Sequence, residues 1–474
     1  MRTHWLLIVF SIPCFASPNS GVDWPGFRGP NGSGVTAAVG LPVEMGPEKN
    51  LTWKTAVPSG HSSPALTEGR IFMTAAEDGK LLTLCLDRAT GRILWRREAP
   101  RSRNTKIRAK NTAASPSPAT DGDNVYVFFE DFGLLAYGSD GNERWRYAIE
   151  PLNTPYGPGA SPVLAGDLAL LLSDQDTNSY LLAVDRKSGR LRWKTPRPEA
   201  THGFATPVIY RPAKGPAQII VSGAYQIDAY DLASGERIWW VRGMAWQAKS
   251  TPVLAGDVLY VHSWMASPSE LGLQGSVPEF KKALEDWDAN KDGTLASVEV
   301  PDVEMRKLWF LFDLDKDGVL NEREWNVHRA RAAAKNGLFA IRLGGRGDLT
   351  GTAVMWRYEK GLPNIPSPVL YKNILYMLKE GGILTALNPA TGEVLKQGRL
   401  QGALEPYFAS PVAADGKIFT VSLNGKLAAL KAGADWEVLS VSDLGEECWA
   451  TPAIADGHLY VRTVNAVYCF GKKG

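Results

Sequence analysis

Asp288, Asn290 and Asp292 alternate along a twelve-residue stretch that continues through Gly293 and Thr294 to Glu299. The layout recurs at Asp313, Asp315 and Asp317, followed by Gly318, Val319 and, at its end, Glu324. Calcium takes about six to eight oxygen ligands in a flexible shell. Side chains at positions 1, 3 and 5, the carbonyls of Thr294 and Val319, and a two-oxygen carboxylate at position 12 supply such a set, with glycine making the turn at position 6. The pattern predicts one or two bound Ca2+ ions. Position 9 is Ala296 in the first loop and Asn321 in the second, so the second site is expected to be tighter.

Helices must hold such loops. Phe280, Leu284 and Trp287 are spaced i, i+4, i+7 before the first loop, and Met305, Leu308, Trp309 and Phe312 form an apolar stripe before the second. Leu295 and Leu320 both fall at position 8, where paired loops pack. Only residues 300–312 separate the loops, and they include Pro301, so two full helices do not fit between them. The pair resembles a compact EF-hand unit, read as a small all-α insertion over residues 268–337.

The rest of the chain repeats itself. Ser or Thr, then Pro, a small apolar residue, a turn and a strand recur at Pro64, Pro118, Pro162, Pro207, Pro252, Pro368, Pro411 and Pro452. The gaps are 54, 44, 45, 45, 116, 43 and 41 residues, which is a unit of about 44 interrupted once. Several short strands at that period predict propeller blades. A second phrase follows in LDRATGRILW, VDRKSGRLRW and YDLASGERIW, where Asp and Gly turn the chain and Trp95, Trp193 and Trp239 fall on one face of the last strand. Residues 51–57 carry this last strand, with Trp53 but no first strands, while the copy after Pro452 lacks it. Joining the two ends completes an all-β, eight-bladed propeller closed by its N- and C-terminal strands, spanning 51–267 and 338–474, without an open edge. Lys396 stands where the sixth unit should carry Trp, and Trp436 is out of register in the seventh.

The tryptophan phrase resembles the docking repeat of the quinoprotein alcohol dehydrogenase-like superfamily, and the opening DWPGFRGPNGSG is similar to the leader of secreted PQQ-like repeat proteins. The repeat also resembles BamB-like propellers, which bind a partner protein in outer-membrane assembly. The first resemblance implies a possible PQQ cofactor and oxidoreductase activity. Against it stand the absence of an adjacent Cys-Cys pair and of a C-x-x-C-H haem motif. The second implies a non-catalytic binding protein. That is the reading adopted, with a PQQ-dependent dehydrogenase as the alternative.

Polar and aromatic residues gather just before each Ser/Thr-Pro, where innermost strands begin at the channel mouth. His61, Asn111, Tyr156, His202, Trp246, Lys249, Asn364, Tyr407, Glu447 and Trp449 are the candidate rim for a protein partner or a polar or carbohydrate ligand. No G-x-S-x-G or H-E-x-x-H accompanies His61 and His202, so no catalytic residue is assigned. A net charge of +2 speaks against nucleic acid as a partner.

Arg2 leads into an apolar run from Trp5 to Phe15, which reads as a signal peptide over residues 1–16 and is too short to span a membrane. The expectation is an exported protein, periplasmic or secreted, with an extended leader over 17–50 and a monomeric state. Pro13 before Cys14 fits a lipoprotein anchor poorly. Whether Cys85 and Cys469, at matching register, pair is left open by the sequence. Seven basic residues between Arg96 and Lys110 read as a solvated loop.

Overall fold

A strand that starts beside the channel has one edge with no partner strand, and the repeat is built around that problem. The computed structural model describes residues 24–105, 107, 111–154, 156–265 and 277–472; the signal peptide expected over residues 1–16 lies outside them. Eight antiparallel sheets form the ring, each a meander from the channel outward. Blade one comprises Ala65–Leu66, Arg70–Glu77, Lys80–Asp87 and Ile93–Glu98, and blades two to seven follow this plan. Blade eight takes three strands from the C-terminus and its outermost, Leu51–Ala56, from the N-terminus. There Trp53 lies opposite Cys469 and Ala56 opposite Ala466.

At the channel, proline removes one main-chain donor from the exposed edge. The preceding Ser or Thr deals with the next. Ser63 N–H donates to Ser117 Oγ (2.8 Å), Ser117 to Ser161 (2.9 Å) and Ser161 to Thr206 (3.1 Å). The chain resumes from Thr251 to Ser367 (3.0 Å), Ser410 (2.9 Å), Thr451 (3.0 Å) and back to Ser63 (2.9 Å). Seven of the eight links of a closed hydroxyl belt are thus made. The eighth, from Thr206 to Thr251, is not, and Thr251 Oγ1 is buried without a partner.

Farther out, five blades dock a tryptophan on their neighbour's turn glycine. Trp53, Trp95, Trp145, Trp193 and Trp356 cover Gly91, Gly141, Gly189, Gly235 and Gly392, whose φ values lie between +69° and +80°. A Cβ on any of these glycines would come within 2.5–2.9 Å of the indole. Four indole N–H groups also reach turn carbonyls, as Trp145 does at Arg186 (2.8 Å). In blade six Lys396 instead donates to the carbonyl of Trp436 (2.8 Å), which packs back from blade seven against Gly398. The substitution and the out-of-register tryptophan are one exchange. Between blades four and five Trp239 turns to Gln218 of its own blade (2.9 Å), and Gly347–Asp348 from blade five adds a parallel strand to blade four.

The leader is not merely extended. It crosses the far end of the channel, pairing Trp24 with Leu66, Pro25 with Thr120, Asn31 with Ile209, and Gly34 and Thr36 with Ala413. Arg28 is fully buried there, donating to the carbonyls of Gly32 (3.0 Å), Ser367 (3.2 Å) and Pro368 (2.6 Å). One end of the channel is therefore plugged by the protein's own N-terminal segment.

The helical insertion leaves blade five after Ser263 and returns at Gly337, which pairs with Ser263. Gly337, read from the sequence as the insertion's last residue, is the first of the returning strand. The insertion holds α1 (Phe280–Trp287), α2 (Val303–Lys307) and α3 (Glu322–Ala333), with the two twelve-residue loops joined at Leu295–Leu320 and Ala296–Val319. The stripe before the second loop is a broken helix. α2 stops at Lys307 and Trp309–Leu311 forms a 3-10 turn, yet Met305 and Phe312 both enter the core around Trp325.

Cys85, Cys448 and Cys469 are buried and free. Burial pushes the Cys85 and Cys448 thiols up to about 12 and the Cys469 thiol to about 11. The basic stretch is solvated, with Arg96, Arg101, Ser102 and Asn104 exposed, but it is also tethered. Arg101 binds Asp131 (2.8 Å), and Arg103 donates to the carbonyls of Ile149 (3.0 Å) and Glu130 (2.5 Å), tying the loop to blade two; Lys106, Arg108 and Lys110 lie outside the described residues.

Gly189→Ala should destabilise by about 2–4 kcal/mol, combining left-handed backbone with an indole clash. Gly166→Ala, at φ +57° but with nothing within 4 Å of its Cβ, should lose only about 1–2 kcal/mol. Urea unfolding of the two variants checks the difference.

Candidate functional site

The plug turns the channel into a one-ended cavity of about 420 Å³ with Phe27 at its wall. One fixed repeat position lines it. The residues two before each belt hydroxyl are His61, Ser115, Gly159, Phe204, Lys249, Ile365, Phe408 and Trp449, and all eight face the cavity. Side chains alternate along extended chain, so this position and the hydroxyl share one face while the residue between them turns into the blade. Behind the ring come four of the belt residues themselves, Ser63, Ser117, Ser161 and Thr451.

Of the candidate rim, His61, Asn111, Tyr156, Lys249, Asn364 and Trp449 line this cavity. His61 stacks on Trp449 at 4.6 Å, and Phe408 packs on the same indole at 4.4 Å. Burial, with Arg462 nearby, pushes the His61 imidazole down to about 4, so the ring is neutral near pH 7. Lys249 Nζ donates to Asn364 Oδ1 (2.6 Å), and burial lowers its ammonium to about 8. Asn111 spends its amide on the carbonyls of Tyr156 (2.7 Å) and Pro158 (3.1 Å).

Four candidates fall elsewhere. Tyr407 is buried and donates to the carbonyl of Ala403 (2.8 Å), because its place one residue before Phe408 turns it into the blade. Glu447 is exposed outside the cavity. His202 is buried against Asp176, behind the lining residues Gln247 (3.2 Å), Tyr156 and Phe204 that it contacts. Trp246 faces the insertion, where the Arg331 guanidinium lies 4.3 Å from its ring. Phe27, Phe204, Phe408 and the belt hydroxyls were missed; a fixed offset from the Ser/Thr would have found all but Phe27.

The second oxygen-rich loop and the helix after it lie against blades three and four. Leu314 accepts from Asn153 Nδ2 (3.3 Å), and Arg323 donates to the carbonyls of Pro198 (2.7 Å), Asp176 (2.7 Å) and Ala200 (3.1 Å). Arg331 bridges Trp246 and Phe312 and donates to the Tyr225 hydroxyl (3.1 Å). Within the loop, carboxylate oxygens of Asp313, Asp315 and Asp317 lie within 4.8 Å of one another. Asp313 Oδ1 is buried with no hydrogen-bond partner, which suits an atom reserved for a cation. Glu324, nearly fully buried, accepts from Leu314 N–H (2.7 Å) and Asn321 N–H (3.1 Å). In the first loop Asp288 and Glu299 accept loop amides in the same manner, and Gly293 and Gly318 both sit at positive φ.

A family model described as "Outer membrane protein assembly factor BamB" matches residues 49–271 and 347–473. No curated protein matches the chain. Among solved structures, BamB from Moraxella catarrhalis aligns at 14% identity and TM-score 0.53, over 89% of this chain and 98% of its own. Quinohemoprotein alcohol dehydrogenase ADHIIG from Pseudomonas putida HK5 aligns at 13% and 0.57, over 95% and 80%. A europium-containing methanol dehydrogenase aligns at 9% and 0.59, over 96% and 98%. At these identities the likeness is one of fold.

Burial holds His61, His262 and His328 near 4, below the usual histidine value of about 6.5. The unfolded chain then takes up protons first as pH falls. Stability should be full above about 6.5, decline toward about 4 and level off below it. His262→Gln should shrink that decline in urea unfolding at stepped pH; an unchanged decline would discount His262.

Proposed function

We propose, from the premise that the chain belongs to the outer membrane protein assembly factor BamB family, that it is an exported, calcium-loaded binding propeller whose one-ended cavity receives a ligand or a partner's segment. The observation that carries this reading is the channel itself, plugged by Arg28 and its neighbours and lined by the ring of eight repeat positions. Aromatic faces, one amine and amides converge there, which suits binding. The apolar run from Trp5 to Phe15 supports export.

Calcium would be held by Asp313, Asp315, Asp317, the Val319 carbonyl and Glu324, and by Asp288, Asn290, Asp292, the Thr294 carbonyl and Glu299. Its role in this reading is to fix the insertion against blades three and four. Extracellular calcium modules work at about 10⁻⁴–10⁻³ M, so an exported protein would stay loaded.

A quinone cofactor with its own calcium fits the cavity poorly. Among the described residues that line it there is no aspartate or glutamate to ligate such an ion.

Calorimetric titration of the chelated mature protein should show calcium binding, the second loop the tighter, and chelation should lower the melting temperature. Asp313→Asn should abolish the tighter phase and leave the weaker. Titration with PQQ in excess calcium should give no heat; tight PQQ binding would move the protein to the oxidoreductases. An unchanged melting temperature after chelation would remove calcium from the account.

A further inference from the structure

The belt leaves its hydroxyls in a particular state. A hydroxyl has one donor and two acceptor positions. Ser63, Ser117, Ser161 and Thr451 each accept a neighbouring blade's N–H, and all four line the cavity. Their acceptor capacity is drawn on by the backbone, while their O–H groups remain to donate into the cavity. The surface facing a ligand is therefore rich in donors.

Charge adds to this bias. Lys249 is the cation of the eight-residue ring, and no carboxylate accompanies it among the described lining residues. Its bonded partner, Asn364 Oδ1, is neutral and takes one of three ammonium protons. Glu380 acts on this ammonium only at a distance and accepts a bond from Asn364 N–H (3.2 Å). A desolvated ammonium without a carboxylate is costly until an anion meets it. Part of the wall is flat and aromatic, with the Trp449 indole between His61 and Phe408, and Phe204 against Tyr156.

We infer that the cavity takes a small monocarboxylate carried on a flat ring, with its carboxylate on Lys249 and the belt hydroxyls and its ring on the aromatic wall. This rests on reading the cavity as a ligand site. One cation matches one carboxylate, and charge-assisted hydrogen bonds to an ionised acceptor are the stronger kind. The eight-residue ring offers no second cation for a polyanion.

Ligand-observed NMR titration of the mature, calcium-loaded protein with benzoate, benzamide and acetate tests the assignment. Benzoate should bind about tenfold or more tightly than benzamide, its neutral isostere, and than acetate, which lacks the ring. Lys249→Met should erase the preference for benzoate over benzamide without changing calcium binding. Equal binding of benzoate and benzamide would overturn the anion assignment and leave the cavity reading standing. Binding of neither would overturn both. A benzoate preference that survives Lys249→Met would place the carboxylate elsewhere and also overturn the proposal.

Discussion

Everything in this ring depends on closing the innermost strand edges of eight sheets around a channel. An open sheet edge presents unpaired N–H groups, and a buried one that stays unpaired is costly. The Ser/Thr-Pro pair answers both parts of the problem, since proline has no N–H and the hydroxyl takes the N–H of the preceding blade. The belt thus fixes the angular spacing of the blades and places the residue two positions earlier on the channel wall. Site and scaffold share one short motif.

The junction of blades four and five departs from this plan twice. The belt link is missing, with Thr251 Oγ1 unpartnered, and the tryptophan dock gives way to the added strand Gly347–Asp348. Blade five is also the blade that carries the insertion, whose α3 braces blade four through Arg331 and Tyr225. The weakest joint by repeat chemistry is the one with an external clamp. If calcium sets the shape of that clamp, it acts on the ring where the ring's own devices are fewest.

Much of this was legible in the sequence. Eight prolines at one period gave the blade number, and the orphan Trp53 strand gave the closure that the Trp53–Cys469 register displays. The two loops and the absence of room for full helices between them were readable from Pro301 and the short spacing. The site was only half legible, because a fixed offset from the Ser/Thr, and not the nearest polar residue before it, marks the lining positions. Strand alternation, not polarity, decides that Phe408 faces the cavity and Tyr407 does not. The leader's course was hidden for another reason: it belongs to no repeat, and Arg28 finds two of its carbonyl partners some 340 residues away.

Amide hydrogen exchange reads the belt most directly. The N–H groups of Ser63, Ser117, Ser161, Thr251, Ser367, Ser410 and Thr451 donate to hydroxyls of the next blade, while that of Thr206 does not. Slow exchange of those seven as one set, with Thr206 markedly faster, is the result this account predicts. Fast exchange throughout, or a Thr206 indistinguishable from the others, would contradict it.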